Sequence, residues 1–167
     1  MDADTKKTAL RMIPYGLYVL TAQDSEGRVA AATVNWVTQT SFAPPLVAVG
    51  VKVGSGTHAI VSESGRFALN VLGKEQAGLA YAFFKSHERH GDSIGGQPFE
   101  HSPQGMPLLT QLPAWLECKV VDIVEHGDHA VVIGEVTEAG VRAQPEGRAD
   151  EATLWLRDLG EKLFYGG

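Results

Sequence analysis

The chain has 167 residues, 44% hydrophobic and 20% charged, a balance that suits one globular core. Lys plus Arg is 14 and Asp plus Glu is 20, so the net charge of −6 speaks against nucleic acid held over a broad face, while one small anion held by local donors stays compatible with it. The single cysteine, Cys118, excludes an intrachain disulfide and any metal site needing two thiolates from this chain.

Thr5 to Met12 is predicted to form a short helix, capped by Asp4 or Thr5 and ended by Pro14. Tyr15 to Ala22 and Arg28 to Gln39 follow as extended segments of a hairpin, with turn chemistry at Asp24-Ser25-Glu26-Gly27. Pro44 and Pro45 break the chain before Leu46 to Lys52, apolar on both alternating faces and therefore read as an interior strand. Thr57 to Ser64 has room for about two helical turns. Phe67 to Leu72 is a strand, and Glu75 to Lys85 carries helical spacing of apolar residues. Ser86 to Pro107, with His87, His90 and His101, reads as a long surface excursion. Trp115 to Glu125 and Ala130 to Val141 are strands joined by His126-Gly127-Asp128-His129, and Thr153 to Arg157 with Leu163 to Tyr165 are expected to close the sheet. Many short strands with few helices predict an all-β fold with minor helices, a barrel or sandwich. No linker or repeat interrupts residues 1–167, so one domain is expected.

Asp2, Asp4, Lys6 and Lys7 precede any apolar stretch, unlike a secretory signal, and runs such as Leu46 to Val51 are far shorter than the roughly 20 residues a membrane helix needs. A cytoplasmic protein without a membrane partner is the expectation.

Three stretches carry candidate chemistry. Thr33, Asn35, Thr38, Gln39 and Ser41 place polar groups on both parities of one extended run around Val34 and Trp36. That suits a bulge or strand end beside a polar cavity for a planar heterocycle, the alternative being an edge strand with a solvated face. Val51-Lys52-Val53-Gly54-Ser55-Gly56-Thr57-His58 offers glycine-turned amides, two hydroxyls, a lysine and a helix start, which make an anion nest or an ordinary capped helix. Gly127-Asp128-His129 puts a carboxylate next to an imidazole, or simply builds a tight turn. Neither a dinucleotide glycine fingerprint nor a phosphate-loop motif occurs, so any nucleotide must be held differently. His87-x-x-His90 and His126-x-x-His129 lack the usual ligand spacings, and no metal site is expected. Cys118 sits mid-strand among apolar neighbours, where an inert buried thiol is expected.

Taken in order, Ile13-Pro14-Tyr15-Gly16, Asn35-Trp36-Val37-Thr38-Gln39-Thr40-Ser41-Phe42-Ala43-Pro44-Pro45, Phe67-Ala68-Leu69-Asn70-Val71-Leu72, Ala114-Trp115-Leu116-Glu117-Cys118, Gly127-Asp128-His129 and Tyr165-Gly166-Gly167 resemble the flavin reductase-like family. The resemblance implies an FMN-binding split β-barrel holding FMN noncovalently. Its phosphate is expected at Lys52, Ser55, Thr57 and His58, and its ribityl chain and ring along Thr33, Val34, Asn35, Trp36 and Thr38. The implied contact set extends to Gln39, Ser41, Val51, Phe84, Lys85 and Tyr165, with His129 positioning NADH or NADPH. It further implies a homodimer that passes hydride from the nicotinamide to the flavin. Electrons would go on to a free flavin, a quinone-like acceptor or oxygen, or serve a partner monooxygenase. The alternative is an electron carrier or storage module without nicotinamide turnover, and a third reading is a related barrel holding haem or a pyridoxal-type group. At Asp92-Ser93-Ile94 the chain departs from the family's usual Asp, basic residue and Phe, so no substrate contact is expected there.

Overall fold

Helix α1 (Ala3–Arg11) begins earlier than the sequence suggests, because the Asp2 side chain accepts a hydrogen bond from the Thr5 amide at 2.7 Å and so caps it. The helix buries none of its side chains. The computed structural model describes residues 1–167, and beyond α1 they are organised mainly by one antiparallel sheet.

Strands β1 (Tyr18–Gln23) and β2 (Val29–Val34) form the expected hairpin. Its turn is fixed by Asp24, which accepts from the amides of Glu26 and Arg28, and by Gly27 at φ 81°. The extended run expected from Arg28 to Gln39 is in fact two strands. It breaks at Asn35 and Trp36, and β3 (Val37–Phe42) pairs instead with β4 (Pro45–Lys52). The break is held by a long-range contact: the Gly50 amide donates to the Trp36 carbonyl, and the indole lies where any side chain at position 50 would sit, 2.9 Å from an ideal Cβ.

Helix α2 (Gly56–Ser64) is capped by Ser55 and ended by Gly65 at φ 65°. Strand β5 (Arg66–Val71) enters the sheet, and α3 (Ala77–Ala82) is shorter than the predicted eleven-residue helix. Its end is set by β2, where the Thr33 hydroxyl donates to the Ala80 carbonyl and the Thr33 amide to that of Phe83. The predicted excursion from Ser86 to Pro107 is not structureless. Strands β6 (Arg89–His90), β7 (Ser93–Ile94), β8 (Gln97–His101) and β9 (Pro107–Leu109) make a small second sheet that buries Ile94, Phe99 and Met106. The long strands β10 (Ala114–Val124) and β11 (His129–Val141) pair through two register shifts. Thr153 and Trp155 reach the rest only as single bridges to Gly73 and Gly16, flanked by 3-10 turns at Ala149–Ala152 and Leu156–Leu159, so this stretch does not become the predicted strand.

The large sheet runs β2-β1-β5-β10-β11-β4-β3. Its two edge strands, β2 and β3, are consecutive in the chain and separated by Asn35 and Trp36 alone, so the sheet must curl to bring its edges together. The edges are not laddered to each other, and the protein is a mostly β fold with minor helices and an open sheet. Inside the curl, Leu20, Val49, Phe67, Leu69 and Val132 form one core, and Leu17, Leu72, Phe83, Leu109 and Leu154 form a second between sheet, α3 and the small sheet. No helix is long and apolar enough to cross a membrane.

Candidate functional site

Curling leaves a cavity of about 430 Å³ where the ends of β2 and β4, the start of α2, the exit of α3, the start of β11 and residues 163–165 converge. That volume lies in the range of small-molecule and cofactor sites.

One end is electropositive. Val51 is buried at the end of β4, and Lys52, Ser55 and Thr57 follow it into the lining. Ser55 accepts from the His58 amide at 3.1 Å, so the helix is closed by its cap while the first-turn amides of Gly56 and Thr57 have no partner inside the helix. Lys85 lines the cavity from the exit of α3. Neither lysine takes part in any of the ion pairs, so both charges are available to a ligand in a chain whose net charge is negative.

The other end is aromatic. His129 opens β11, and its Nδ1 lies 2.9 Å from Asp128 Oδ1 while its Nε2 lies 2.8 Å from the Tyr165 hydroxyl. The hydrogen bond from His129 holds the Asp128 carboxyl below its ordinary range. Burial, and then the Asp128 charge, push the Tyr165 phenol above its own. Trp36 stands 4.7 Å from the His129 ring and 5.5 Å from the Tyr165 ring.

Of the residues singled out from the sequence, Thr33, Val34, Asn35, Val51, Lys52, Ser55, Thr57, Phe84, Lys85, His129 and Tyr165 line this one cavity. Trp36 lies behind it, packed on His129 and Tyr165. Thr38, Gln39 and Ser41 are not brought in, because β3 carries them along the far edge of the sheet, where the Gln39 amide bonds the Ser41 carbonyl. His58 is not a lining residue either, since its ring turns away to Glu125 at 2.6 Å. Thr33 lines the wall, but its amide and hydroxyl protons are engaged in docking α3. Sequence reasoning missed Ala31, Ala32 and Gly50, whose small size leaves the space open, and Leu163 and Phe164, which close one side. The adjacent alanines in a strand were the available signal for the first two. No three His, Cys, Asp or Glu side chains converge on a common point.

A cavity with a cationic, amide-rich end and an imidazole at the other, set in a curled antiparallel sheet, defines a mostly β protein with a cofactor-sized cavity whose donors suit a small anion. The description Flavin reductase like domain matches residues 10–159. The chain is 33% identical over 156 residues to the NADH-dependent flavin reductase StyB of Pseudomonas fluorescens, covering 93% of this chain and 87% of that protein. It superposes on the styrene monooxygenase flavin reductase (SMOB) of Pseudomonas putida S12 with a TM-score of 0.73 and 28% identity, over 96% of this chain and 95% of the other. Some relatives are longer: the chain spans 43% of a probable flavin reductase of Rhizobium meliloti (strain 1021), at 34% identity over 136 residues covering 81% of this chain. The chain belongs to the flavin reductase-like family, and it is an enzyme of the oxidoreductase type.

Proposed function

We propose that the protein is an FMN-binding, NADH- or NADPH-dependent reductase that passes electrons to a free flavin or another small acceptor, acting as a homodimer whose reduced product serves a partner monooxygenase. The observation that carries this reading is the meeting, in one cavity, of the Lys52-to-Thr57 cradle, the polar end of β2 and His129. In the same reading residues 1–167 are one flavin-binding domain, and the curled sheet with consecutive edge strands is a split barrel. The reductases among its relatives favour turnover with a nicotinamide over a carrier role.

The donor set fits an FMN phosphate: Lys52, which takes part in no ion pair, two hydroxyls and the first-turn amides of a nine-residue helix line one end of the cavity. When bound, the flavin supplies the hydride-accepting and electron-donating ring. The protein supplies binding, orientation and exclusion of water. Lys52, Ser55 and Thr57 hold the anionic end, while Ala31, Ala32 and Gly50 leave room for a flat ring against the sheet. Buried Phe83 and Leu156 form the dry wall, and Phe84 and Lys85 meet the cofactor at its rim. Asp128 fixes the imidazole of His129 through Nδ1, and Nε2, which meets the Tyr165 hydroxyl here, is the atom that would meet a nicotinamide carboxamide. No side-chain acid or base is required for hydride transfer between the two rings.

The test is anaerobic mixing of the FMN-loaded protein with excess NADH, and separately NADPH. Loss of the oxidised-flavin band near about 450 nm, a property of the cofactor, is expected with at least one of them. A band that persists with both rules out the reading.

A further inference from the structure

Leu163–Gly166 is the least secured wall of the cavity. Leu163 and Phe164 line both the main cavity and a second one of about 270 Å³ bounded by Arg11, Tyr15 and Trp155, so the segment is a thin partition between two spaces. It joins no ladder, and its backbone makes one turn bond, from the Leu163 amide to the Gly160 carbonyl. Leu163 packs on the second core and the Tyr165 ring on Trp36 and His129, and four further contacts seat the segment. The Asn35 amide donates to the Tyr165 carbonyl at 3.0 Å, the Tyr165 hydroxyl meets His129 Nε2, Arg11 Nε donates to the Gly166 carbonyl at 3.4 Å, and the Arg11 guanidinium covers the Phe164 ring at 4.2 Å. Arg11 stands on α1, which is itself anchored by no buried side chain. Phe164 and Tyr165 are each 49% exposed. Beside the segment, Trp36 Nε1 is buried without a hydrogen-bond partner, so the seated arrangement leaves one polar group of the aromatic end unsatisfied.

We propose that Tyr165 is an intramolecular stand-in for the nicotinamide carboxamide at His129, and that Leu163–Gly166 is a strap the dinucleotide displaces. With Asp128 accepting from Nδ1–H, the neutral imidazole offers Nε2 as an acceptor, and the Tyr165 hydroxyl donates to it. A carboxamide NH2 presents the same kind of donor to the same atom, so one hydrogen bond exchanges for another. Apart from Leu163, which packs on the second core, the strap is held by polar contacts and by half-exposed rings, which yield more readily than buried packing. This assigns Tyr165 to the nicotinamide side of the cavity and not to the flavin. The proposal rests on the functional reading above and adds to it a residue that sets nicotinamide affinity without contacting the flavin.

The test uses the FMN-loaded protein with NAD+ and NADP+ as non-reducing probes, on wild type, Tyr165→Phe and Arg11→Ala. Tyr165→Phe removes only the hydroxyl, and Arg11→Ala loosens the strap from its other end. Both variants are expected to bind the oxidised dinucleotide about three- to tenfold more tightly, the range one net hydrogen bond spans, with FMN affinity unchanged. In steady state the nicotinamide KM falls by a similar factor while kcat holds. Hydrogen exchange at the Leu163–Gly166 amides is expected to speed up when the dinucleotide binds wild type. Unchanged or weaker binding in Tyr165→Phe, protection of the strap by the dinucleotide, or no binding to any form overturns the proposal. Normal binding with strap release, but a flavin that neither NADH nor NADPH bleaches, overturns the functional reading alone.

Discussion

Strand β4 buries Val47, Val49 and Val51 on one face and runs directly into the Ser55-capped helix, so the cationic end of the cavity is continuous with the core. The facing wall, Phe84 to Lys85 and Leu163 to Tyr165, is loop: Phe84, Phe164 and Tyr165 are half exposed and their segments join no sheet. Rigid elements hold a site to a fixed geometry, whereas loops on few contacts open at low cost. Under the proposed function this contrast would divide the labour: the flavin held from the sheet, and the nicotinamide entering across the loops.

The two regions differ most in stability. Phe67 is fully buried against Gly134, whose ideal Cβ would lie 2.6 Å from the ring, so the aromatic fills space that no neighbour can occupy. Phe67→Ala is expected to cost about 3–5 kcal/mol, and Phe164→Ala, on the loop wall, within about 0.5 kcal/mol of zero. Urea unfolding of both variants measures the contrast, and equal losses would erase the distinction between the two walls. The next effect is on cofactor affinity. Lys52→Ala combined with Ser55→Ala removes two charge-assisted contacts, so the FMN Kd should rise about 100-fold. Fluorescence titration of the released flavin gives the value, and undiminished affinity would show that the phosphate sits elsewhere.

Local chemistry was legible in the sequence and long-range geometry was not. The Ser55 cap, the Lys52-to-Thr57 stretch and His129 after its turn are set by neighbours a few residues away, and each reaches the cavity as expected. The break at Asn35 and Trp36 depends on Gly50, and it alone sends Thr38, Gln39 and Ser41 to the opposite edge. His58 had the right position in the nest, yet its ring answers to Glu125, a partner 67 residues away. Thr33 reaches the cavity as expected, but its use of its amide and hydroxyl to dock α3 was not legible, because Ala80 and Phe83 are also remote. The small sheet escaped notice because its strands have two to five residues, too short for an alternation to register. Mostly-β character was legible because each strand's own pattern was intact even where its partner lay far along the chain.

The smallest effect separates the two walls without a change in function. Cys118 is fully buried in β10, and burial, followed by the nearby Glu117 charge, pushes its thiol up to about 12 from an ordinary 9.0. The reactive thiolate is therefore suppressed at pH 8, and the reagent has no path to it short of opening the sheet. A thiol-modifying reagent followed by mass spectrometry should find the native protein unlabelled over times in which the strap amides exchange fully. Labelling should accelerate with urea in step with global unfolding. Between pH 9 and about 12 the unfolded chain releases this proton and the fold retains it, so Cys118 makes stability fall as pH rises through that window. Cys118→Ala should flatten that part of the alkaline slope. Labelling of the native protein at pH 8 faster than it unfolds would mean that β10 opens locally, and the sheet behind the cationic end would then share the looseness of the strap.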